Sequence, residues 1–243
     1  MELAGRVALV TGAGRRLGRA IALALAERGM RVALHYHASA REAEVTEHAL
    51  RERGTPVARF AADLTDPEAA RALPGRVAAE FGGLDVLVNS AGIMVEARVE
   101  ETTPELWDRV MNLNLRAAFF TVQGAIPWLR PARGKVVNLA DVGGLEPWPR
   151  YPAYCISKAG LGMLTRVLAR ALAPDITVNA VAPGAVLPPD DWDQATRDHL
   201  ARTTPLQRLG SPDDVTAAII YLLEAGDYVT GTTLVVDGGR LIR

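Results

Sequence analysis

The chain has 243 residues, 49% of them hydrophobic and 23% charged, which suits one large folded domain and excludes a disordered chain. Its 27 Lys and Arg residues nearly balance 28 Asp and Glu residues, leaving a net charge of −1, so no nucleic-acid partner and no anionic membrane surface is expected. The longest apolar runs, such as Ala20–Ala26, fall far short of the ~20 residues that span a bilayer.

Two features indicate the cellular compartment. Cys155 is the only cysteine, so no intrachain disulfide can form and a cytoplasmic location is expected. The first residues, Met1–Arg6, lead almost at once into a strand-like run, so no signal peptide is expected.

Short apolar runs alternate with amphipathic segments along the chain. The predicted strands are Arg6–Thr11, Arg31–Tyr36, Val57–Ala61, Leu84–Asn89, Gly134–Ala140, Ile176–Ala182 and Thr232–Val236. The predicted helices are Leu17–Gly29, Arg41–Arg53, a segment that begins at Asp66, Thr103–Leu129, Pro152–Ala173 and Pro212–Leu223. Because the strands are apolar throughout, the pattern predicts a Rossmann-type, doubly wound α/β fold with seven parallel strands flanked by helices on both faces.

No linker or repeat divides the sequence, so residues 1–243 are predicted to form a single domain. The least regular stretch is Gly184–Gly210, which is rich in Pro, Asp and Thr. A stretch of this length is too long for a simple connection, and we expect it to act as a substrate-binding loop.

The turn between the first strand and the first helix reads TGAGRRLG (residues 11–18). Glycines there let the backbone approach a pyrophosphate, and the helix N-terminus offers unpaired N–H groups. Any tight turn can use glycine, but the position in the first strand–helix unit favours a dinucleotide. We therefore expect Gly12, Arg15, Arg16 and Leu17 to contact the cofactor.

The segment after the second strand contains no acidic residue until Glu42. A site that prefers NAD usually places Asp or Glu about 20 residues after the glycines, where it holds the ribose hydroxyls. Basic and polar residues are found there instead. They either surround a 2′-phosphate or are ordinary surface residues. The missing acidic residue favours NADPH or NADP over NADH or NAD. The residues assigned to this end of the cofactor are Arg15, Arg16, His35, His37, Ser39, Asp63 and Leu64, the last two as an adenine cap or a simple turn.

A tyrosine and a lysine lie four residues apart on a predicted helix. Tyr154 and Lys158 therefore emerge on one helix face, where the ammonium should shift the phenol pKa toward the working range. Such a pair is most often a solvated helix face. The chain has only one other lysine, Lys135, so the coincidence favours an acid–base role.

With these motifs, the chain resembles the short-chain dehydrogenase/reductase family over nearly its whole length. The matching segments are TGAGRRLG (11–18), DVLVNSAG (85–92), NLNLRAAFF (112–120), YPAYCISKAGL (151–161), ITVNAVAPG (176–184) and TGTTLVVDGG (230–239). The resemblance implies that Tyr154 transfers a proton, Lys158 binds the nicotinamide ribose and tunes Tyr154, and Asn114 holds a relay water. It also implies a homotetramer formed through the helices near 104–129 and 152–173.

Further cofactor contacts are expected at the ends of two strands. Asn89, Ala91 and Gly92 follow the fourth strand, at the edge where doubly wound sheets bind ligands, although Asn89 would equally tie neighbouring strands together. By resemblance, Pro183 and Gly184 present backbone groups to the nicotinamide, and Val186 lies beside them.

The family's fourth catalytic residue is a serine, and Asp141 occupies its position. An ionised carboxylate would repel a developing alkoxide, so a ketone reductase should not favour it unless it stays protonated. A substrate with N–H groups would accept it. The pteridine reductases carry Asp at this position and Arg where Arg16 stands here, whereas Met94 replaces the aromatic residue that stacks on their pterin.

The sequence therefore predicts NADPH-dependent hydride transfer to a C=N or C=O bond of a small molecule, most plausibly a dihydropterin or dihydrofolate. A general carbonyl reductase, for example of 3-oxoacyl thioesters, is the alternative, and a non-enzymatic NADPH-binding sensor is a further one. No metal is expected, because the four histidines have no ligand spacing. The residues assigned to the substrate are Arg16, Met94, Asp141, Tyr154 and Leu187.

Overall fold

The computed structural model describes residues 1–188 and 193–242. Its strands are β1 (Val7–Val10), β2 (Arg31–Tyr36), β3 (Val57–Ala61), β4 (Val86–Asn89), β5 (Lys135–Leu139), β6 (Thr177–Pro183) and β7 (Thr233–Val236). Its α-helices are α1 (Arg16–Glu27), α2 (Ala40–Glu52), α3 (Pro67–Phe81), α4 (Pro104–Met111), α5 (Ala117–Ala132), α6 (Pro152–Leu172), α7 (Gln194–Thr203) and α8 (Pro212–Glu224).

The seven strands form one parallel sheet in the order β3-β2-β1-β4-β5-β6-β7. The chain winds outward from β1 in one direction, then returns to place β4 on the other side of β1. Ligands of open α/β sheets bind at the carboxyl ends of the strands flanking such a reversal. The Rossmann-type sheet predicted from the apolar strands is confirmed.

Both faces of the sheet are covered, because successive side chains of a strand point to opposite faces. In β1, Ala8 and Val10 pack in the cluster that contains residues of α1, α2 and α8. Val7 and Leu9 pack in the cluster that contains residues of α3, α5 and α6. A strand buried on both sides must be apolar at every position, which explains the continuous runs in the sequence.

Two segments differ from their predictions. The expected helix Thr103–Leu129 is broken by a π-helical turn, Asn112–Arg116, between α4 and α5. The expected loop 184–210 contains α7, whose N-cap Asp193 accepts a hydrogen bond from the Thr196 N–H. No residue of α7 is buried, so the helix has no apolar stripe from which periodicity would predict it. Residues 189–192 of this stretch lie outside the described residues.

Within residues 1–188 and 193–242, no helix is both long and apolar enough to cross a membrane. The same residues contain no group of three or more His, Cys, Asp or Glu side chains arranged to hold a metal ion.

Candidate active site

The glycine-rich turn packs against the end of β4, and this contact requires glycine. Gly12 has a φ of +67°, and a Cβ there would lie 2.9 Å from the Ala91 Cα. A Cβ on Gly18 would lie 2.2 Å from the Gly12 carbonyl oxygen. The first turn of α1 is thus drawn tightly against the preceding loop, as a dinucleotide-binding turn requires.

The N-terminus of α1 carries no side-chain cap, since Arg15 makes no such hydrogen bond. Its first backbone N–H groups and the positive end of the helix dipole suit a pyrophosphate. Arg16 adopts φ +50°, a strained conformation outside glycine. Its Nη2 donates to the Leu187 carbonyl, so it links the turn to the segment after β6. Arg15 is exposed and Leu17 half-buried at the same helix end.

His35 holds this turn through both ring nitrogens, and its assignment as a cofactor contact stays a prediction. The Gly12 N–H donates to its Nδ1 (3.1 Å), and its Nε2 lies 3.1 Å from the Ala62 carbonyl oxygen. The first bond assigns the proton to Nε2, so both ring nitrogens are engaged by the backbone. Burial lowers the pKa of His35 to about 4, and the ring is therefore neutral.

The other residues assigned to the 2′-phosphate and adenine end lie together at the ends of β2 and β3. His37 is exposed, with its Nε2 4.0 Å from an Asp63 carboxylate oxygen. Hydrogen bonds from the Thr65 hydroxyl and N–H hold the pKa of Asp63 below its usual range. The Ser39 hydroxyl lies where a Cβ on Gly14 would come within 2.9 Å.

A small cavity opens where β1 and β4 end. It brings together predicted and unpredicted residues, and it is lined by Thr11, Leu64, Asn89, Ala91, Leu113, Asn114, Ala117, Ala118 and Leu161. Thr11 was not predicted. Its hydroxyl accepts the N–H groups of Ser90 and Ala91 at 2.9 and 3.0 Å, which fixes the two strand ends to each other. The position of Thr11 immediately before the glycine turn is the sequence feature that could have indicated its place in the site.

Asn89 ties strands together, the second of its two predicted roles. Its amide nitrogen donates to the Asn138 side-chain oxygen at 2.9 Å. The Asn138 amide in turn donates to the Thr165 hydroxyl on α6, also at 2.9 Å. This buried chain fixes β4, β5 and α6 relative to one another, so the site residues carried by α6 have a rigid support.

Asn114 lies in the π-helical turn, a feature that often marks functional sites. Its amide nitrogen donates to the Ile93 carbonyl (2.9 Å) and the Ser157 hydroxyl (3.0 Å), while its oxygen accepts the Ile93 N–H (2.8 Å). A Cβ on Gly92 would lie 3.2 Å from that oxygen and 3.7 Å from the Lys158 Nζ. The predicted pair Asn114 and Lys158 therefore flanks Gly92 from two sides.

The phenol of Tyr154 donates a 2.8 Å hydrogen bond to Asp141 Oδ2. The other carboxylate oxygen accepts the Gly143 N–H at 2.7 Å, which fixes the carboxyl group at the end of β5. Trp148 stacks on the Tyr154 ring with a centroid distance of 6.2 Å. The predicted tyrosine and aspartate are thus in direct contact. The Trp148 ring packs on Tyr154, and the Gly143 N–H binds Asp141.

Lys158 is buried one helical turn from Tyr154. Its Nζ donates to the Leu139 carbonyl at 2.6 Å and lies 5.8 Å from the Tyr154 ring centroid. Burial lowers the pKa of Lys158 to about 8. The ammonium is therefore anchored to β5, with the phenol beside it rather than bonded to it.

The predicted lowering of the Tyr154 pKa by Lys158 is wrong for this geometry. Burial, followed by the neighbouring Asp141 carboxylate, raises the pKa of the phenol well above 10. Burial likewise raises the pKa of Asp141, against the opposing effects of the Gly143 N–H and Lys158. Both groups are biased toward their protonated forms, which is the loaded state of a proton donor.

The remaining assigned residues border the site. Pro183 pairs with Val236, and a Cβ on Gly184 would come within 2.9 Å of the Asp237 Cα, so no side chain fits there. The side chain of Val186 packs toward Gly210 instead of standing free, which the sequence did not indicate. Met94 is 46% exposed on the segment after β4.

Comparisons with known proteins agree with this geometry. A family model described as Enoyl-(Acyl carrier protein) reductase matches residues 12–240. The chain is 38% identical to 3beta-hydroxysteroid dehydrogenase 1 of Eggerthella lenta, covering 99% of this chain and 95% of that protein. It is also 38% identical to the 3-oxoacyl-[acyl-carrier-protein] reductase FabG of Staphylococcus aureus, covering 96% of each chain.

Solved structures show the same relationship. A mutant short-chain dehydrogenase/reductase of Serratia marcescens superposes with a TM-score of 0.91 at 33% identity, covering 99% of each chain. A blue fluorescent protein from a metagenomic library, in complex with NADPH, superposes with a TM-score of 0.92 at 32% identity, covering 99% of each chain. The chain is an oxidoreductase that belongs to the short-chain dehydrogenase/reductase family.

Proposed function

We propose that the protein is an NADPH-dependent reductase of a small-molecule carbonyl compound, with Tyr154 as proton donor and Asp141 as its partner. The observation that carries this proposal is the 2.8 Å hydrogen bond between the phenol and the carboxyl group, one helical turn from the buried Lys158. Tyr154 and Asp141 are neighbouring acids with raised pKa values, so both can hold a proton for the reaction at the end of β5.

The cofactor side of the site supports a phosphorylated dinucleotide. The glycine turn and the uncapped N-terminus of α1 would hold the pyrophosphate, and Arg15, Arg16, His37 and Ser39 would hold a 2′-phosphate. NADPH bound there would supply the hydride. The structural relative in complex with NADPH supports this choice, and so does the lack of an acidic residue after β2.

Asp141 fits a carbonyl substrate if its carboxyl group is neutral during the reaction. A neutral carboxyl can donate a hydrogen bond to the carbonyl oxygen, as the family's serine would, and it can return a proton to Tyr154 after transfer. An ionised carboxylate would instead repel the oxygen as it becomes negative. Burial favours the neutral form, so reduction should weaken as rising pH ionises Asp141.

The names of the relatives support a carbonyl substrate better than a heterocycle. They refer to a hydroxysteroid and to a 3-oxoacyl group, both of which belong to alcohol–carbonyl pairs. Met94 also stands where a stacking aromatic residue would favour a pterin.

A dihydropterin or dihydrofolate is the second candidate, favoured by Asp141 itself. A carboxylate accepts N–H groups of an amino-heterocycle, which a serine does less well. Arg16 reaches from the glycine turn to Leu187, so it borders both the cofactor turn and the assigned substrate segment. This candidate requires the ionised form of Asp141, whereas carbonyl reduction requires the neutral form.

A substrate panel tests the proposal. We expect the wild-type protein to oxidise NADPH, and NADH less well, with a ketone or 3-oxoacyl thioester. Tyr154→Phe should lower this turnover by roughly a hundredfold or more, since a positioned acid contributes about 10²–10⁴-fold. Asp141→Ser should retain carbonyl turnover and lose the fall that ionisation of Asp141 causes as the pH rises.

The same panel separates the alternatives. Turnover of dihydrobiopterin or dihydrofolate that disappears in Asp141→Ser would establish the second candidate and overturn the first. Tight NADPH binding with no turnover on any substrate class would contradict both and leave a nucleotide-binding sensor.

A further inference from the structure

The Trp148 indole contacts both groups that bind Asp141. Its ring lies 6.2 Å from the Tyr154 ring, centroid to centroid, with an angle of only 13° between the two planes. A Cβ on Gly143 would come within 2.9 Å of the indole Cζ3, so the ring also lies against this glycine, whose N–H donates to Asp141. One side chain therefore packs on the phenol and on the peptide that together bind the two carboxyl oxygens.

Packing, rather than a hydrogen bond, orients this indole. The Trp148 Nε1 is buried and has no hydrogen-bond partner within residues 1–188 and 193–242. The adjacent turn is equally tight, because a Cβ on Gly144 would lie 2.7 Å from the Lys158 carbonyl carbon. The turn after β5 is thus packed directly on α6, with the indole against its Gly143 position.

A second aromatic residue, Tyr151, supports the indole. The rings of Trp148 and Tyr151 meet edge to face, with centroids 6.1 Å apart and planes at 76°. Aromatic rings favour such edge-to-face and offset-stacked contacts. The Tyr151 N–H also donates to the Trp148 carbonyl at 2.9 Å, which closes the turn that leads into α6. Main chain and side chain therefore hold the two residues together.

Glu96, on the loop after β4, fixes the Tyr151 side chain. The Tyr151 hydroxyl donates to Glu96 Oε2 at 2.8 Å, and Arg150 forms an ion pair with the other carboxylate oxygen. The Ala97 N–H donates to the Arg150 carbonyl at 2.9 Å, so a main-chain bond joins the same two loops. A continuous series of contacts therefore runs from the loop after β4 through two aromatic rings to the proposed proton donor.

The position of the phenol depends on few contacts. Among the described residues, the Tyr154 hydroxyl has a single hydrogen-bond partner, Asp141 Oδ2. Lys158 lies beside the ring and donates to the Leu139 carbonyl instead. A ring with a neighbour packed flat on its face cannot swing about its Cα–Cβ bond without losing that contact, so the stacking fixes where the hydroxyl lies.

We propose that Trp148 is a positioning residue of the proposed reaction, which keeps the Tyr154 hydroxyl on Asp141, and that Tyr151 and Glu96 hold the indole in place. Its effect on turnover rests on the proposed function, whereas its effect on the hydroxyl position does not. A misplacement of about 1 Å at a reacting group can reduce turnover by ~100-fold, so a ring that never touches the substrate can still control the rate.

Substitutions at position 148 separate a flat ring from apolar volume. Trp148→Phe keeps a planar ring beside Tyr154, whereas Trp148→Leu keeps apolar bulk without a flat face. With the best carbonyl substrate, kcat should fall roughly tenfold or more in Trp148→Leu and at most about threefold in Trp148→Phe. The KM for NADPH should stay within about twofold of the wild-type value in both, because the glycine turn is not disturbed.

Substitutions further along the series test the support of the indole. Tyr151→Phe and Glu96→Ala break the same hydrogen bond, and each should lower kcat by roughly threefold. The double variant should be no worse than either single one, since residues that act through one contact are not additive. Glu96→Gln keeps an acceptor oxygen and should retain most of the activity. Arg150→Met removes only an exposed ion pair and is the matched control, with a kcat close to that of the wild type.

A crystal structure of Trp148→Leu bound to NADP+ gives a readout that needs no turnover. We expect the Tyr154 ring to leave its present orientation and the 2.8 Å bond to Asp141 to be broken. An unchanged bond, or equal kcat values in Trp148→Leu and Trp148→Phe, would overturn the inference. Should Trp148→Leu fail to fold, Tyr151→Phe is crystallised instead and judged by the same bond. Absence of carbonyl turnover in the wild type would overturn the proposed function alone, because the crystal structure would still decide the role of Trp148.

Discussion

His35 shows how one side chain can hold a glycine-rich turn in place through backbone contacts. The ring engages backbone groups of Gly12 and Ala62 through its two nitrogens, and it is 2% exposed. His35, at the end of the second strand, is among the cofactor contacts expected from the sequence. Its partners are distant in sequence, so only the folded arrangement reveals that the ring holds the turn.

The burial of His35 has a consequence for stability. Its pKa falls from 6.5 to about 4 on folding, so the unfolded chain binds the proton first as the pH decreases. The neutral ring's contribution is therefore complete above about pH 6.5 and is lost as the pH falls through about 4, by up to ~3 kcal/mol. Denaturant unfolding across pH should show this loss in the wild type and a flatter profile in His35→Gln.

His37 provides the matched control, because its side chain is 64% exposed. His37→Gln should leave the pH dependence of unfolding close to that of the wild type. Equal slopes for the wild type and His35→Gln would contradict the assignment of a buried, neutral ring.

At the scale of elements, helices α3 and α5 approach so closely that one position admits only glycine. A Cβ on Gly124 of α5 would lie 2.0 Å from the Arg71 carbonyl oxygen of α3. Gly124→Ala should therefore lower the free energy of unfolding by about 1–3 kcal/mol, the usual cost of overpacking. Chemical denaturation measures the change.

Gly75, on α3, is the comparison for this substitution. A Cβ there would meet nothing closer than the Trp128 Nε1 at 4.0 Å. Gly75→Ala should be neutral or stabilising by up to ~1 kcal/mol through helix propensity. A destabilisation as large as that of Gly124→Ala would show that propensity or unfolded-state effects, rather than contact, govern both.

The elements differ in how much of them the sequence can predict. Strands buried on both faces leave unbroken apolar runs, so all seven were found, with no end shifted by more than two residues. The π-helical turn at Asn112–Arg116 contains one more residue than an α-helical turn. The spacing of the apolar residues gives almost no sign of that extra residue. Helix α7 buries no residue and so leaves no periodic signal.

The site was predictable where chemistry is encoded in spacing. Tyr154 and Lys158 were found this way and Asp141 through the family resemblance, and the structure brings the three together. The pKa directions were not predictable, because they depend on burial and on side chains from other elements. The contact of Arg240 with Glu146 likewise joins residues about a hundred positions apart, which no local pattern encodes.

At the scale of the whole molecule, helices α5 and α6 carry exposed apolar side chains. They are Phe119, Trp128, Ile156, Met163 and Val167, which are 38–55% exposed. An apolar stripe of this kind marks an association surface. We predict that these helices form the contacts of a homotetramer, as the family resemblance implies.

Sedimentation velocity checks this prediction. The wild type should sediment as a tetramer, and Met163→Glu should shift it to smaller species, since a charge at the contact centre stays unpaired. Val45→Glu, on an equally exposed position of α2, should leave the assembly intact. A wild-type monomer would contradict the predicted surface.

The two lysines of the chain are both enclosed, Lys135 at 3% and Lys158 at 7% exposure. Every positively charged side chain on the exterior is therefore an arginine or a histidine, and acylating reagents that select primary amines find no lysine at the surface. Lys158 lies beside Tyr154 in the catalytic crevice, so its amine meets such a reagent only when that crevice opens. The acetylation rate of Lys158, followed by peptide mass mapping, would therefore report how often the catalytic crevice opens to solvent.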